Sequence, residues 1–336
     1  MDKKLIKLRF QNGLTFETFK KEAFDVAGLN SFYRFEESDN PDFIIFGPYG
    51  DEVPEKGNYI RIGYFCENMV PELSICEWAF GVMPEETINN PKYSRIQWHD
   101  LNPQILVKGN DYNAENIFEQ KKYFCNFLYS NIVPYREEFF RQLSKYKKVD
   151  AAGKSMNNMA SIDHLYKGDI WERKRQYLSP YKFTIAFENY IYPGYQTEKL
   201  YDAMRTNSIP IYCGDPFIGK TFNTKSFVHV RDYINTNRSP VVSWLEKQSQ
   251  QDYIDTLPHI HFDPYHRVKR KLKIIGREIK MKLEFQKLDF SPVIERIIEL
   301  DSDNEKYLQL LKQPWFTENM VPPNLSLTNR WRQIFG

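Results

Sequence analysis

Cysteine is scarce in this chain. Its 336 residues include four, and no CxxC pair is formed among them. Cys66, Cys76, Cys125 and Cys213 lie in or beside apolar runs, so buried free thiols and a reducing compartment are expected. No GxGxxG or P-loop pattern occurs, which argues against dinucleotide oxidoreductases and common kinases. No apolar run approaches the ~20 residues a membrane-spanning helix needs. The opening MDKKLIKLRF is too short and too charged for a secretory signal. An excess of one charge is missing too. The formal net charge is +2, so no global field draws the chain to nucleic acid. Internal repeats and low-complexity segments are absent. The expectation is a soluble, cytoplasmic protein, peripheral at the inner face of a membrane at most.

What is present is globular: 41% hydrophobic and 27% charged residues. Aromatics make up 16% of the chain, more than a plain core needs, so some could stack on sugars or bases as well as fill the interior. Apolar runs over residues 5–10, 42–46, 59–65 and 78–82 read as strands, and residues 16–24 suit a helix. Strands alternating with helical or loop segments indicate an α/β fold. Residues 108–120 are polar and suit a linker. The pattern then restarts with a strand at 122–129 and a helix over about 136–146.

The most informative stretch is Tyr181 to Gly214. It reads as a strand ending in Glu188-Asn189, a loop with Pro193 and Gly194, a helix opening near Thr197-Glu198-Lys199, and a second strand over 209–212. This is a βαβ unit with its polar residues at the strand end and helix start, where α/β folds bind ligands. A helix N-terminus holds phosphate oxygens through free N–H groups, and Lys199 adds a point charge there. An ordinary Thr197 cap with a solvated Glu198/Lys199 pair accounts for the same residues equally well. Arg136 also stands at a helix start after a strand, and with Lys199 it could clamp a diphosphate, or it is a surface arginine. Glu67 ends a strand of the first half, where a carboxylate is placed either for general-base work or for capping a turn.

Other signals are weaker. His259, His261 and His266 lack the carboxylates or cysteines that would complete a metal site. Asp301-Ser302-Asp303 matches a DxD pattern, but it sits on no apolar strand and precedes a helix, so solvated capping is expected. Residues 266–285 are basic, with Leu272, Ile275, Ile279 and Leu283 at helical spacing. That face is expected to pack on the protein, the alternative being a contact with an anionic membrane surface.

FEN, GYxTEK and IPIYxG, in this order between Phe183 and Gly214, closely resemble the donor-binding motif of the α-1,3/4-fucosyltransferases, glycosyltransferase family 10. FCNFLYSN followed by Arg136, and Tyr64 to Asn68 with FGV after them, also fall where that family has equivalent segments. Cys213 departs from the Trp common in IPIYWG, and position 196 is Gln where many members have Val. The resemblance implies a GT-B architecture, two Rossmann-like domains facing across a cleft. Residues 1–115 would bind the acceptor, 116–300 would bind GDP-fucose, and 301–336 would form a tail packing back toward the first domain. It implies an inverting α-1,3-fucosyltransferase of bacterial type acting on a GlcNAc-containing glycan or glycolipid, such as lipopolysaccharide, with a Lewis-type product. Glu67 would be the base. Arg136, Glu188, Asn189, Tyr195, Thr197, Glu198 and Lys199 would bind the donor. No metal site and no cofactor are implied, though stimulation by a divalent ion is left open. A transferase of another GDP-sugar and a non-catalytic carbohydrate-binding relative are the alternatives.

Overall fold

The computed structural model describes residues 3–97, 102–234, 236–285 and 288–336. Two parallel sheets organise the chain. The first has six strands: β1 (Lys4–Gln11), β2 (Tyr33–Glu37), β3 (Phe43–Phe46), β4 (Ile60–Phe65), β5 (Trp78–Gly81) and β6 (Tyr93–Arg95), in the order β2-β1-β3-β4-β5-β6. All of its pairings are parallel. The central β3 and β4 are apolar along nearly their whole length, as strands covered on both faces must be. An aromatic core covers one face, where Phe19, Phe24, Tyr64 and Phe80 meet Trp331 and Phe335.

The second sheet has five strands: β7 (Tyr123–Asn126), β8 (Val149–Asp150), β9 (Tyr181–Phe187), β10 (Ile209–Cys213) and β11 (Val228–His229), in the order β11-β10-β9-β7-β8. Its pairings are also parallel. From β7 the chain runs outward to β8 and then returns past β7 to place β9 on the other side. The strand order therefore reverses between β7 and β9, and the crevice beyond their carboxyl ends is where such sheets bind ligands. Helix α1 (Pro134–Leu143) follows β7 with Pro134 in its first turn, and α2 (Glu198–Arg205) follows β9. Helices α3 (Pro240–Ser249) and α4 (Pro264–Glu284) pack side by side. The final helix, α5 (Thr328–Phe335), places Trp331, Ile334 and Phe335 in the core of the first sheet. Tyr307, Leu311, Trp315 and Phe316 lie instead in the core of the second. This is the two-sheet α/β organisation that the strand pattern and the family resemblance imply.

Three expectations are corrected. Residues 108–120 are not simply a linker. Asn113 caps a short helix, Ala114–Glu119, by accepting a hydrogen bond from the Asn116 N–H, and Ala114 is buried in the second core. Asp301 is not solvated: its side chain is buried between Lys182 at 2.8 Å and Lys147 at 2.9 Å, while Asp303 caps the next helix. Most consequentially, the apolar stripe of α4 faces solvent and not the core.

The thiols agree with the expectation. Cys76, Cys125 and Cys213 are buried, Cys66 is half-buried, and none of the four is in a disulfide. Among the described residues no helix is long and apolar enough to cross a membrane.

Candidate active site

The loop from β9 to α2 is held by a fully buried carboxylate. Glu188 accepts from the Thr197 N–H at 2.8 Å with one oxygen and from the Thr197 hydroxyl at 2.6 Å with the other. The Thr197 hydroxyl thus points at Glu188 and caps no helical N–H, so the first turn of α2 is left without a side-chain cap. The ordinary cap is therefore not what folds here. Free N–H groups and the positive end of the helix dipole face outward beside Lys199.

Charge at this turn is tightly arranged. The Lys199 ammonium lies 2.9 Å from the Thr197 hydroxyl, 3.2 Å from Glu198 and 3.6 Å from Glu188. Burial alone would lower its pKa, but the two carboxylates outweigh that and hold it above the usual lysine value. For Glu198 burial would raise the pKa, yet Lys199 and Lys174 push it down to about 2. Burial pushes Glu188 up against the opposing pull of Lys199 and the Thr197 hydrogen bonds.

Arg136 enters from the other side of the reversal point. It is completely buried at the start of α1. Its NH2 group donates to the Asn131 carbonyl at 2.6 Å and its NH1 group to Asn189 Oδ1 at 3.0 Å. The guanidinium carbon lies over the Tyr129 ring, 3.6 Å from its centre. Tyr129 is fixed in turn by β9: its hydroxyl donates to the Ile185 carbonyl and accepts from the Phe187 N–H, both at 2.7 Å. Gly153 brings the loop after β8 against this strand end. A Cβ there would stand 2.2 Å from the Tyr129 carbonyl oxygen, so only glycine lets the two loops meet.

The first sheet supplies the opposite wall. Glu67 follows β4, half-buried, and its carboxylate accepts from the Tyr49 hydroxyl at 2.7 Å. Tyr49 is an exposed residue, but its hydroxyl is engaged by Glu67. Desolvation first, then the nearby Cys66 and Glu67, keep that hydroxyl protonated. The two walls are joined at a tight seam. Gly194, at φ +83°, packs so close to the Val82 carbonyl that an added Cβ would sit 2.4 Å away. Arg95, the last residue of β6, donates to the Gly194 carbonyl at 3.1 Å and lies 3.7 Å from Asp215. Gln196 donates to the same Asp215 carboxylate at 2.6 Å.

Between the walls lies a cavity of about 840 Å³. It is lined by Glu67, Arg136, Asn189, Tyr195, Thr197, Glu198 and Lys199, residues the sequence singles out from segments far apart in the chain. Glu188 is not among the lining residues. It is buried behind Thr197 and bears on the cavity through that loop and through Lys199. Sequence reasoning missed Tyr49, Tyr129, Lys154, Lys174 and Trp171, which also line the cavity. Lys154 is exposed beside Gly153, and the Ala151-Ala152-Gly153 run just after a strand was the available signal for it. Among the described residues no group of three or more His, Cys, Asp or Glu is placed to hold a metal.

Residues 118–274 match the family model described as Glycosyltransferase family 10 (fucosyltransferase) C-term. An α-(1,3)-fucosyltransferase of Helicobacter pylori is 39% identical over 246 residues, 62% of this chain and 49% of that protein. An α-(1,3)-fucosyltransferase of Drosophila melanogaster is 33% identical over 117 residues, 33% of this chain and 26% of the relative. The chain thus matches about half, or less, of the length of these relatives. Among solved structures, an α1,3-fucosyltransferase crystallised with GDP-fucose superposes with a TM-score of 0.64, covering 99% of this chain and 91% of that one at 21% identity. That likeness carries the fold, and the fold is GT-B. The segment that matches the fucosyltransferase C-terminal model of glycosyltransferase family 10 spans β9, the Thr197 turn, Arg136 and Lys199.

Proposed function

We propose that this protein transfers L-fucose from GDP-β-L-fucose to a hydroxyl of a GlcNAc-containing acceptor glycan, with inversion and an α-1,3 linkage. One observation carries the reading. A carboxylate from one domain, Glu67, and two cations from the other, Arg136 and Lys199, line a single cavity at the reversal point of the second sheet. A general base opposite a diphosphate clamp is what inverting transfer from a nucleotide sugar requires.

Glu67 would take the proton of the acceptor hydroxyl as its oxygen attacks the anomeric carbon from the face opposite GDP. The bond to the diphosphate breaks on the other face, so the β-linked sugar becomes α-linked. Negative charge builds on the departing diphosphate. Arg136, Lys199 and the uncapped N–H groups of α2 would receive it. The placement of Arg136 suits this role, because the side-chain and backbone acceptors around it are all neutral and its Nε–H is buried without a partner. Tyr195, Asn189 and Glu198 would shape the donor pocket, and Glu188 would hold the Thr197 turn. With the leaving charge carried by side chains and a helix end, turnover should need no added metal and should survive EDTA.

Replacing Glu67 by Gln tests the reading. Transfer from GDP-fucose to N-acetyllactosamine, followed by mass spectrometry with linkage analysis, should fall by roughly a thousandfold while GDP binding is retained. Near-wild-type turnover in Glu67→Gln would remove that residue from the base role.

A further inference from the structure

Helix α4 is built inside out. Its charged residues at 269, 273, 277, 280 and 284 face the protein. Lys269 and Lys273 pair with Asp255 at 2.9 and 2.5 Å, and Arg277 donates to the Ser249 carbonyl at 3.1 Å. Lys280, completely buried, pairs with Glu246 at 2.7 Å. Glu284 is reached by Arg231 at 2.5 Å. Gly276 allows the close approach of α3, since a Cβ there would stand 2.8 Å from the Ser249 hydroxyl.

The opposite face carries an apolar stripe in solvent. Tyr265, Val268, Leu272, Ile275, Ile279 and Leu283 are 72, 58, 62, 51, 45 and 41% exposed. Trp244 and Val241 on the neighbouring α3 are also exposed. A contiguous exposed apolar surface of this length marks a contact with something else. Around the stripe, Arg267, Lys271 and Lys282 are exposed, against the single exposed carboxylate Glu278 within the helix. Two copies of such a face would bring like charges together. An anionic surface would neutralise them.

We propose that α4 lies on an anionic phospholipid bilayer, with its apolar stripe in the headgroup region and Arg267, Lys271 and Lys282 among the lipid phosphates. The position of the helix suits an enzyme whose acceptor is membrane-borne. A second cavity, bordered by Ile274, Arg277 and Lys282 of α4, is also bordered by Asn131 and Asn189, which line the main cavity. The bilayer contact itself does not depend on the fucosyl-transfer reading and is measured apart from activity.

The test is co-sedimentation of the full chain with phosphatidylcholine vesicles, with and without phosphatidylserine. Binding should appear only with the anionic lipid and weaken as salt is raised. Leu272→Ser with Ile275→Ser should reduce it by about tenfold or more, as should Lys271→Glu, without lowering the melting temperature, because these side chains are exposed. Absence of binding, or equal binding to neutral and anionic vesicles, overturns the proposal. A dimer in analytical ultracentrifugation that Leu272→Ser with Ile275→Ser dissociates, without vesicle binding, assigns the stripe to a second copy and also overturns it.

Discussion

The guanidinium of Arg136 lies 3.6 Å from the centre of the Tyr129 ring, and the ring is pinned at both edges of its hydroxyl by β9. The cation is therefore oriented before any ligand arrives, and its hydrogen-bond acceptors are neutral. Arg136→Lys keeps a positive charge but loses the planar fork and the stacking. It should weaken GDP binding by roughly ten- to a hundredfold in titration calorimetry. A variant with lower melting temperature and unchanged GDP affinity would make Arg136 a purely structural residue.

The Tyr49 hydroxyl is 2.7 Å from Glu67, the proposed base. It orients the carboxylate and need not touch the donor. Tyr49→Phe should lower kcat by about tenfold and leave the KM for GDP-fucose near its original value. A rise in that KM with kcat unchanged would place Tyr49 in donor binding instead.

Stability in acid should depend on Glu198. Its carboxyl sits at about 2 in the folded protein against 4.5 ordinarily. The folded state therefore holds the carboxylate more firmly than the unfolded chain does. That stabilisation is complete above the ordinary value and is lost as pH falls toward 2, amounting to at most about 3 kcal/mol. Urea unfolding at neutral and acid pH should show Glu198→Gln less stable than the parent near neutrality, with the difference shrinking in acid. A constant difference across the range would contradict this.

Gly194→Ala should loosen the seam between the two domains. The position has φ +83° and its Cβ would meet the Val82 carbonyl at 2.4 Å. A strained backbone plus a displaced neighbour should cost roughly 2–4 kcal/mol, read as a fall of several degrees in melting temperature. Unchanged stability would mean that the seam opens freely in solution.

Much of the fold was legible because parallel strands covered on both faces must be apolar almost throughout. β3, β4 and β9 announce themselves in this way, and the short edge strands β2, β6 and β8 do not. The donor side of the site was legible because its residues sit at one strand end and one helix start, close together in the chain. Tyr49 and Tyr129 were not legible, because an isolated tyrosine in an aromatic-rich sequence carries no mark of what its hydroxyl will reach. The turn at Thr197 misled for a physical reason. Its hydroxyl has a choice of partners, and the buried Glu188 binds both its O–H and its N–H.

By itself the sequence determined the α/β class, the βαβ unit from β9 to β10 and the segment that matches the glycosyltransferase family 10 model, since all three rest on local patterns. Only the tertiary structure decided that Glu67 shares a cavity with Arg136 and Lys199, because that juxtaposition depends on how two separately folded sheets meet. It also decided which face of α4 turns inward. A helix with one apolar and one basic face can bury either, and here Glu246, Asp252 and Asp255 lie opposite and take the basic one.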